Sequence, residues 1–331
     1  MKTLVAIIFF LNSQNVLSAQ TEPLSRIHVK GNIFVNNHGE PIVFRGFNTS
    51  DPYKLLSDKQ WNKRYFQEIK NWGANAVRFP VHPANWRTLG KDAYLKLLDD
   101  GIQWATELQL YVIIDWHSIG NLKTEQFHRP SYKTSLAETR DFWQIIAKQY
   151  GKNSTVAFFE LFNEPVNKGE FGSCTWAEWK AMMEEVIAVI RTEGARNIPL
   201  VAGFNWGYDL TEAAADPITA KGIGYVSHPY PMKREKPWED KWSNDWGFMA
   251  ERYPIMLTEI GFSGEEEKGA HIPVISDESY GDAITAYSKQ KGISYIVWCF
   301  DPDWSPMLIR DWDFNTTRQG KYFKQALTEK K

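Results

Sequence analysis

Two glutamates in separate parts of the chain each follow a short apolar run. Glu164 comes after the run 156–162 and directly follows Asn163, while Glu259 closes the run 254–259. Cationic or ring-bearing polar side chains end other apolar runs of the chain: Arg78, His117, His228 and Tyr230. This combination places carboxyl groups among cations and hydrogen-bond donors, which are the groups that shift carboxyl pKa values.

Two carboxyl groups on opposite sides of an anomeric carbon can cleave a glycosidic bond. One group must be protonated to assist the leaving oxygen, and the other must be ionised to attack. A single glutamate at a strand end is explained equally well by a buried salt bridge to an arginine. Two such glutamates, with arginine and histidine at neighbouring strand ends, favour the catalytic interpretation, with Glu164 as acid/base and Glu259 as nucleophile.

The elements that must position these side chains alternate regularly. Eight apolar runs predict strands, at 43–47, 76–79, 110–115, 156–162, 198–204, 224–227, 255–260 and 293–300. Helical patterns lie between them, at 61–72, 94–108, 136–150, 176–191, 210–215, 245–252, 280–291 and 322–328. Continuous apolar strands that each precede a helix require a parallel sheet covered by helices. Eight units favour an α/β fold of the closed (β/α)8 TIM-barrel type over an open doubly wound sheet.

Local signals support these boundaries. Thr175 and Glu178 form a capping-box pattern, and Gly73, Gly151 and Gly194 follow helical segments as C-terminal caps do. Residues 26–43 predict a short β-hairpin before the barrel. No phosphate-binding glycine motif follows the first apolar run, which removes the usual support for a nucleotide-binding sheet.

The ordered set of strand ends resembles glycoside hydrolase family 5, the family of many cellulases and mannanases. The resemblance rests on Asn163, Glu164 and Pro165 after one apolar strand and on Glu259 closing the segment 254–259, and it extends from Arg45 to Trp298. It implies a retaining (β/α)8 hydrolase that forms a covalent glycosyl intermediate on Glu259.

The resemblance also implies roles for other residues. Arg78 would keep Glu259 ionised, and Asn163 would bind the 2-hydroxyl of the attacked sugar. Four further residues would line the same subsite, with Tyr230 near the nucleophile and Trp298 as its aromatic floor: His117, His228, Tyr230 and Trp298. His82 is a weaker candidate for the site, and Arg45 is expected to support the structure from below.

Tryptophan is abundant, with 15 in the chain. Exposed aromatic rings offer flat apolar faces on which sugar rings stack. Trp86, Trp116, Trp206 and Trp304 are candidates for further subsites, although core packing is the preferred explanation for any single one. For the tryptophan-rich segment 238–246, core packing is the preferred interpretation.

Composition excludes several other classes. A net charge of -2 provides no basic surface for nucleic acid or acidic membranes. No HExxH or GxSxG motif is present, and His117, His228 and Asp115 form no close cluster of metal ligands in the sequence, so we expect no metal and no cofactor. Cys174 and Cys299 form no disulfide framework, and their pairing stays open.

The first nineteen residues read as a signal peptide. Lys2 precedes an apolar stretch at 4–11, which is too short to span a bilayer, and small residues at 18 and 19 suit cleavage. We therefore expect a signal peptide at 1–19, a single catalytic domain at 20–331, and a secreted, extracellular or periplasmic protein. An intracellular glycosidase is the alternative if this segment is not cleaved.

The leading prediction is a secreted retaining endo-β-1,4-glucanase of the cellulase type, acting as a monomer on a polysaccharide or oligosaccharide. A β-mannanase, lichenase or xyloglucanase of the same family stays open, because the loops do not disclose which hydroxyl groups are recognised. Transglycosylation by the same intermediate is also open. A barrel that binds carbohydrate without catalysis is the alternative of a different class.

Overall fold

The computed structural model describes residues 23–329, and the predicted signal peptide lies outside the described residues. Thirteen strands are present in this part of the chain: β1 His28–Lys30, β2 Ile33–Val35, β3 Arg45–Asn48, β4 Ala76–Val81, β5 Tyr111–Trp116, β6 Ile119–Asn121, β7 Gln126–Phe127, β8 Val156–Glu160, β9 Glu164–Pro165, β10 Ile198–Ala202, β11 Gly224–Val226, β12 Ile255–Ile260 and β13 Ser294–Val297.

Eight of these strands close a parallel barrel in the order β3, β4, β5, β8, β10, β11, β12, β13, with β13 paired back to β3. The predicted (β/α)8 TIM barrel is therefore confirmed. All eight predicted strands are found, each within a few residues of its predicted bounds. Strands β1 and β2 form the predicted antiparallel hairpin. Its Phe34 packs against Phe44 and Phe158, inside the end of the barrel where the strands begin.

Eleven α-helices surround the barrel in the described part of the chain: α1 Pro52–Ser57, α2 Lys63–Asn71, α3 Pro83–Leu89, α4 Lys91–Glu107, α5 Leu136–Tyr150, α6 Trp176–Thr192, α7 Phe204–Gly207, α8 Thr211–Ala215, α9 Glu239–Asp245, α10 Glu278–Lys291 and α11 Arg318–Thr328. The capping box of Thr175 and Glu178 opens α6 as predicted. Gly73 and Gly194 follow their helices with positive φ angles, whereas Gly151 caps α5 in a right-handed conformation.

The helix predicted at 245–252 was wrong in position. Helix α9 ends at Asp245, and a separate 3-10 turn covers Gly247–Glu251. Trp246 lies between the two with φ near -153°, and Trp238, Trp242 and Trp246 are all buried. Trp242 and Trp246 pack on Tyr287 of α10, so this tryptophan-rich segment is core, as preferred from the sequence.

Barrel closure depends on close backbone approach at one glycine. Gly46 on β3 lies opposite Ala76 on β4. A Cβ atom at Gly46 would lie 1.9 Å from the Ala76 carbonyl oxygen, which is far inside contact distance. The strand ends above this point carry the polar side chains of the site, so the packing of β3 against β4 fixes where those side chains begin.

Cys174 and Cys299 are both buried and unpaired in the described structure. No helix among residues 23–329 is long and apolar enough to cross a membrane.

Candidate active site

A cleft with a cavity volume of about 1010 Å³ lies over the ends of the barrel strands. Its walls include six of the eight residues predicted for the site: His117, Asn163, Glu164, Tyr230, Glu259 and Trp298. The other two, Arg78 and His228, are fully buried behind the cleft wall and contact the two glutamates directly. All eight predicted residues therefore lie together at one end of the barrel.

The two glutamates face each other across the cleft. One oxygen of Glu164, one oxygen of Glu259 and a ring nitrogen of His228 all lie within 4.8 Å of one another. Carboxyl groups of retaining glycosidases are about 5 to 5.5 Å apart, whereas inverting enzymes leave about 6.5 to 9.5 Å for a water molecule. The close approach of the two glutamates is nearer to the spacing of retaining enzymes than to that of inverting ones.

Glu164 is held by a short strand that lies beyond the barrel. The barrel strand β8 ends at Glu160, earlier than the predicted end at 162, and the chain then turns into β9. The backbone N–H of Glu164 donates to the Ser118 carbonyl, which adds β9 to β6. This second sheet places the Glu164 carboxyl over the cleft, where its side chain stays 12% exposed.

Glu259 lies inside β12 and is held at both oxygens. Arg78 Nη1 donates to Oε1 at 3.0 Å, and the Tyr230 hydroxyl donates to Oε2 at 2.8 Å. Burial raises the pKa of this carboxyl, and the cationic His228 and Arg78 beside it offset only part of that rise. Both oxygens accept hydrogen bonds without a proton on the carboxyl, so the geometry favours the ionised form.

His228 bridges the two glutamates from behind. Its Nδ1 lies 3.0 Å from Glu164 Oε1 and 3.9 Å from Glu259 Oε2, and its Nε2 lies 2.9 Å from Thr258 Oγ1. Burial alone would lower the pKa of His228, but Glu259, Glu160 and Glu164 around the ring raise it to about 9. His228 is therefore a cation near neutral pH and donates Nδ1–H to Glu164.

Arg78 is the hydrogen-bonding centre of the site. Its guanidinium donates five hydrogen bonds to residues on three other strands or their extensions. Nε and Nη2 each donate to Glu160, and Nη2 also donates to Asn163. Nη1 donates to Asn48 and Glu259. The two bonds to Glu160 are 2.6 and 2.9 Å long. Burial raises the pKa of Glu160, but the charges and hydrogen bonds of Arg78 and His228 together outweigh burial and lower it.

Glu160, Asp115, Asn48 and Thr258 were not selected from the sequence, although the structure places all four in this network. Thr258 donates to Glu160 at 2.9 Å, and Asn48 donates to the Thr258 carbonyl. A signal was present for two of them, because Glu160 and Asp115 each place a charge at the end of an apolar run. Burying such a charge is costly unless it is paired.

Trp298 forms the base of the cleft on one side of the glutamates. It is 8% exposed, and its ring is nearly parallel to that of His117, at 7° and 5.3 Å between centroids. Trp304 continues the same direction, at 13° and 5.9 Å from Trp298. Backbone N–H groups of Asp303 and Trp304 donate to the buried Asp301 carboxylate, which fixes this loop.

Trp206 lines the cleft from a different strand end. It follows β10 in a turn where Asn205, Trp206 and Gly207 all have positive φ angles, at 60°, 57° and 67°. Lys233 secures this turn, because its Nζ donates to the Asn205 carbonyl at 3.0 Å and lies 4.9 Å from the centre of the Trp206 ring. Burial lowers the pKa of Lys233 to about 8.

Trp206 and Trp304 therefore line the cleft, whereas Trp86 and Trp116 are core residues packed on Phe142. His82 also lines the cleft. Arg45 lies away from the cleft lining, where its guanidinium donates to the Ile293 carbonyl and stacks 4.1 Å from the Tyr295 ring centre. The expectation that Arg45 is structural is confirmed.

Within residues 23–329, one group of side chains brings possible metal ligands close together: Glu164, His228 and Glu259. A histidine ligates a metal through a nitrogen that carries no proton. Because the pKa of His228 is raised to about 9, both ring nitrogens carry protons near neutral pH. A metal ion here would have to displace a proton from His228, so near neutral pH the group is better suited to acid–base chemistry.

A closed (β/α)8 barrel that brings two carboxyl groups this close at its strand ends has the architecture of a glycoside hydrolase. Comparison with known proteins agrees with that class. The family model described as cellulase (glycosyl hydrolase family 5) matches residues 35–303. The chain therefore belongs to glycosyl hydrolase family 5, as the sequence resemblance indicated.

Solved structures share the barrel, and curated relatives share part of the sequence. A β-glucanase of Saccharophagus degradans superimposes with a TM-score of 0.91 and 48% identity, over 93% of this chain and 94% of that one. The same β-glucanase has also been solved in complex with cellotetraose. An endoglucanase of Clostridium saccharobutylicum is 26% identical over 89% of this chain and 62% of its own length. Endoglucanase E-5 of Thermobifida fusca is 25% identical over 85% of this chain and 57% of its own length. The chain thus spans about six tenths of the length of these curated relatives.

Proposed function

We propose that this protein is a retaining endo-β-1,4-glucanase of the cellulase type, with Glu164 as acid/base and Glu259 as nucleophile. The observation that carries the proposal is the close approach of the two carboxyl groups, within 4.8 Å between their nearest oxygens. The β-glucanase at 48% identity supports a β-linked glucan as the substrate.

The two roles follow from the different surroundings of the two carboxyl groups. Glu259 accepts hydrogen bonds from Arg78 and Tyr230, and both donors stabilise a negative charge on its carboxylate. Glu259 is therefore the group that attacks the anomeric carbon. Glu164 contacts the protonated His228 through one oxygen and keeps part of its side chain open to the cleft. In the first step Glu164 protonates the departing sugar oxygen.

The second step reverses the role of Glu164. Water attacks the glycosyl–Glu259 ester, and Glu164 accepts a proton from that water. His228 assists at this stage, because its Nδ1–H stabilises the ionised form of Glu164. Tyr230 and Arg78 meanwhile stabilise Glu259 as its carboxylate is released.

Endo action is proposed from the extent of the cleft. Trp298 and Trp304 line it beyond the eighth barrel strand, and Trp206 lines it beyond the fifth. Glu164 and Glu259 extend from the fourth and seventh strands, so we expect ring-stacking surfaces on both sides of the bond to be cut. A cleft of this kind suits a chain that continues past the reacting sugar in both directions.

The first test is hydrolysis of carboxymethylcellulose, barley β-glucan, xyloglucan and galactomannan by the purified protein. We expect cleavage of the β-glucans, with retention of anomeric configuration followed by NMR. Glu164→Gln and Glu259→Gln should each lose nearly all activity on polysaccharide, whereas the exposed Glu251→Gln serves as the matched control and should keep it. Preferred cleavage of galactomannan would replace the glucanase assignment by a mannanase.

A dinitrophenyl cellobioside separates the two glutamates. Dinitrophenolate leaves without protonation, so Glu164→Gln should still form the glycosyl–enzyme and release a burst of dinitrophenolate. Glu259→Gln should release none, because the attacking carboxylate is missing. A burst from Glu259→Gln and none from Glu164→Gln would reverse the assignment.

We also propose that the protein is exported after cleavage near residue 19. The proposal is supported by the charged and apolar pattern of the first nineteen residues. N-terminal sequencing of the protein recovered outside the cytoplasm should begin near residue 19 or 20. Recovery with an intact Met1 would contradict it.

A further inference from the structure

Two aspartate–histidine pairs lie side by side at the cleft wall, and they differ in the hydrogen bonds that the aspartate oxygens accept. The rings of His82 and His117 are 4.6 Å apart. Asp51, beside His82, has donors at both oxygens, because Oδ1 accepts from Tyr53 N–H and Tyr94 O–H and Oδ2 accepts from His82 N–H.

Asp115, beside His117, lacks such donors. Its Oδ2 lies 2.7 Å from His117 Nδ1. Its Oδ1 is buried and has no hydrogen-bond partner among residues 23–329, and the residue is fully buried. Of the two aspartates, Asp115 is therefore the one whose negative charge is poorly satisfied.

Arg78 does not correct this deficit. Its Nη2 lies 3.0 Å from Asp115 Oδ2, which is close enough for an ion pair. All five of its N–H groups, however, already donate to other acceptors: Glu160, Asn163, Asn48 and Glu259. In the described structure Asp115 is therefore near a positive charge but receives no N–H from it.

Two other carboxyl groups lie close to Asp115. Asp115 on β5 is paired in register with Glu160 on β8, which places two carboxyl groups side by side on adjacent strands. The charged and titratable groups that face this position from the surrounding strands are two cations, two glutamates and the adjoining imidazole: Arg78, His228, Glu160, Glu259 and His117. A third carboxylate here would leave a charged oxygen buried without a donor, next to two other carboxyl groups, whereas a neutral acid would leave only a carbonyl oxygen there.

We propose that Asp115 is a neutral carboxylic acid in the resting protein and that it donates its proton to Nδ1 of His117. His117 is then the tautomer that carries its proton on Nε2. Burial raises the pKa of Asp115 well above its usual range, and burial together with the cations around it lowers the pKa of His117 well below its own. Both directions agree with a proton placed on Asp115.

The consequence for the site concerns what His117 offers to a sugar, and it rests on the proposed function. His117 lines the cleft and lies parallel to Trp298. With Nδ1 occupied by the Asp115 proton, Nε2–H is a hydrogen-bond donor. His117 would then recognise a hydroxyl oxygen as an acceptor, and Asp115 acts as a positioning residue that sets this polarity.

The protonation state can be measured without any assay of catalysis. In protein labelled with ¹⁵N-histidine, we expect His117 to show an unprotonated Nδ1 and a protonated Nε2 near neutral pH, with the signals assigned by their loss in His117→Gln. A protonated Nδ1 with a bare Nε2 would show that Asp115 is ionised. Protons on both nitrogens would indicate an ion pair, and either result overturns the proposal.

Infrared difference spectra supply a second measurement. Wild type minus Asp115→Asn should contain the carbonyl stretch of a protonated carboxylic acid. Asp51→Asn is the matched control, because Asp51 has donors at both oxygens and its spectrum should lack that band. If Asp115→Asn does not fold, the histidine spectrum of the wild type still decides.

The pH profile tests the link to Glu259. If Asp115 is neutral, Asp115→Asn leaves the charge around Arg78 unchanged, and the acidic limb of kcat/KM should stay at the same pH. If Asp115 is ionised, its replacement removes a negative charge near Glu259 and should move that limb downward by about one pH unit. A protein that hydrolyses no glycan would refute the proposed function and leave the spectroscopic result intact.

Discussion

Replacing Glu160 by glutamine tests whether the buried arginine network stabilises the barrel. Glutamine has nearly the same shape, but one oxygen becomes an NH2 group. Whichever way the amide turns, that group points its hydrogens at an N–H of Arg78 or at the hydroxyl of Thr258. The substitution therefore removes a charge and at least one charge-assisted hydrogen bond.

The expected loss follows from the burial of both partners, which are 0% exposed. A charge-assisted hydrogen bond contributes about 1.5 to 3 kcal/mol, and breaking a buried ion pair by removing one partner costs about 3 to 5 kcal/mol. We therefore expect Glu160→Gln to lower the free energy of unfolding by about 3 to 5 kcal/mol. Urea denaturation followed by tryptophan fluorescence measures it.

The chain provides a matched control on its surface. Arg140 and Glu185 form an ion pair between α5 and α6 whose side chains are 45% and 43% exposed. Glu185→Gln makes the same chemical change and should cost less than about 1 kcal/mol. Equal losses in the two variants would show that the buried network contributes no more than a surface pair, and would refute the reasoning.

Three further outcomes are expected. The pKa of His228 is raised from an ordinary 6.5 to about 9, so its contribution of roughly 3 kcal/mol is present below pH 6.5 and lost as pH rises through 9. Unfolding titrations of His228→Gln should lack that decline, and an unchanged decline would contradict it. Trp206→Ala should lower kcat/KM on β-glucan about tenfold, because ring stacking on the sugar is lost. Trp86→Phe in the core should leave kcat/KM near wild type. Equal effects of the two substitutions would show that Trp206 does not contact the substrate. Gly46→Ala should prevent folding, because its Cβ would meet the Ala76 carbonyl at 1.9 Å, as judged by circular dichroism. Gly31→Ala, where no described atom lies within 4 Å, should cost about 1 to 2 kcal/mol from its positive φ alone.

The architecture was predictable because its signals are local. Apolar runs, a capping box and glycines after helices each depend on a few neighbouring residues, and together they define eight strand–helix units. The error at 245–252 arose where local signals were weak. The three tryptophans at 238, 242 and 246 repeat at helical spacing and pack on α10, yet the helix ends at Asp245, before the third of them.

Only part of the site was predictable from the sequence. Polar residues that end apolar strands identified Glu259, Arg78 and His117, because strand ends meet at one face of a barrel. Glu160 and Asp115 satisfy the same rule, but nothing in a single sequence says which buried carboxyl faces the cleft and which pairs with Arg78. The contact of Lys233 with this wall of the cleft requires a turn of three residues with positive φ, and one of them, Trp206, carries a side chain that disfavours that conformation.

The Arg78 network also determines what would happen if the chain were divided. A break between α6 and β10 would leave Arg78, Glu160 and Glu164 on one fragment, and His228 and Glu259 on the other. Neither fragment would contain both Glu164 and Glu259. The hydrogen bond from Arg78 to Glu259 would join the two fragments. Under the proposed function, hydrolysis would occur only when the two fragments associate. The barrel could therefore serve as a split enzyme in which released sugar measures the association of the fragments.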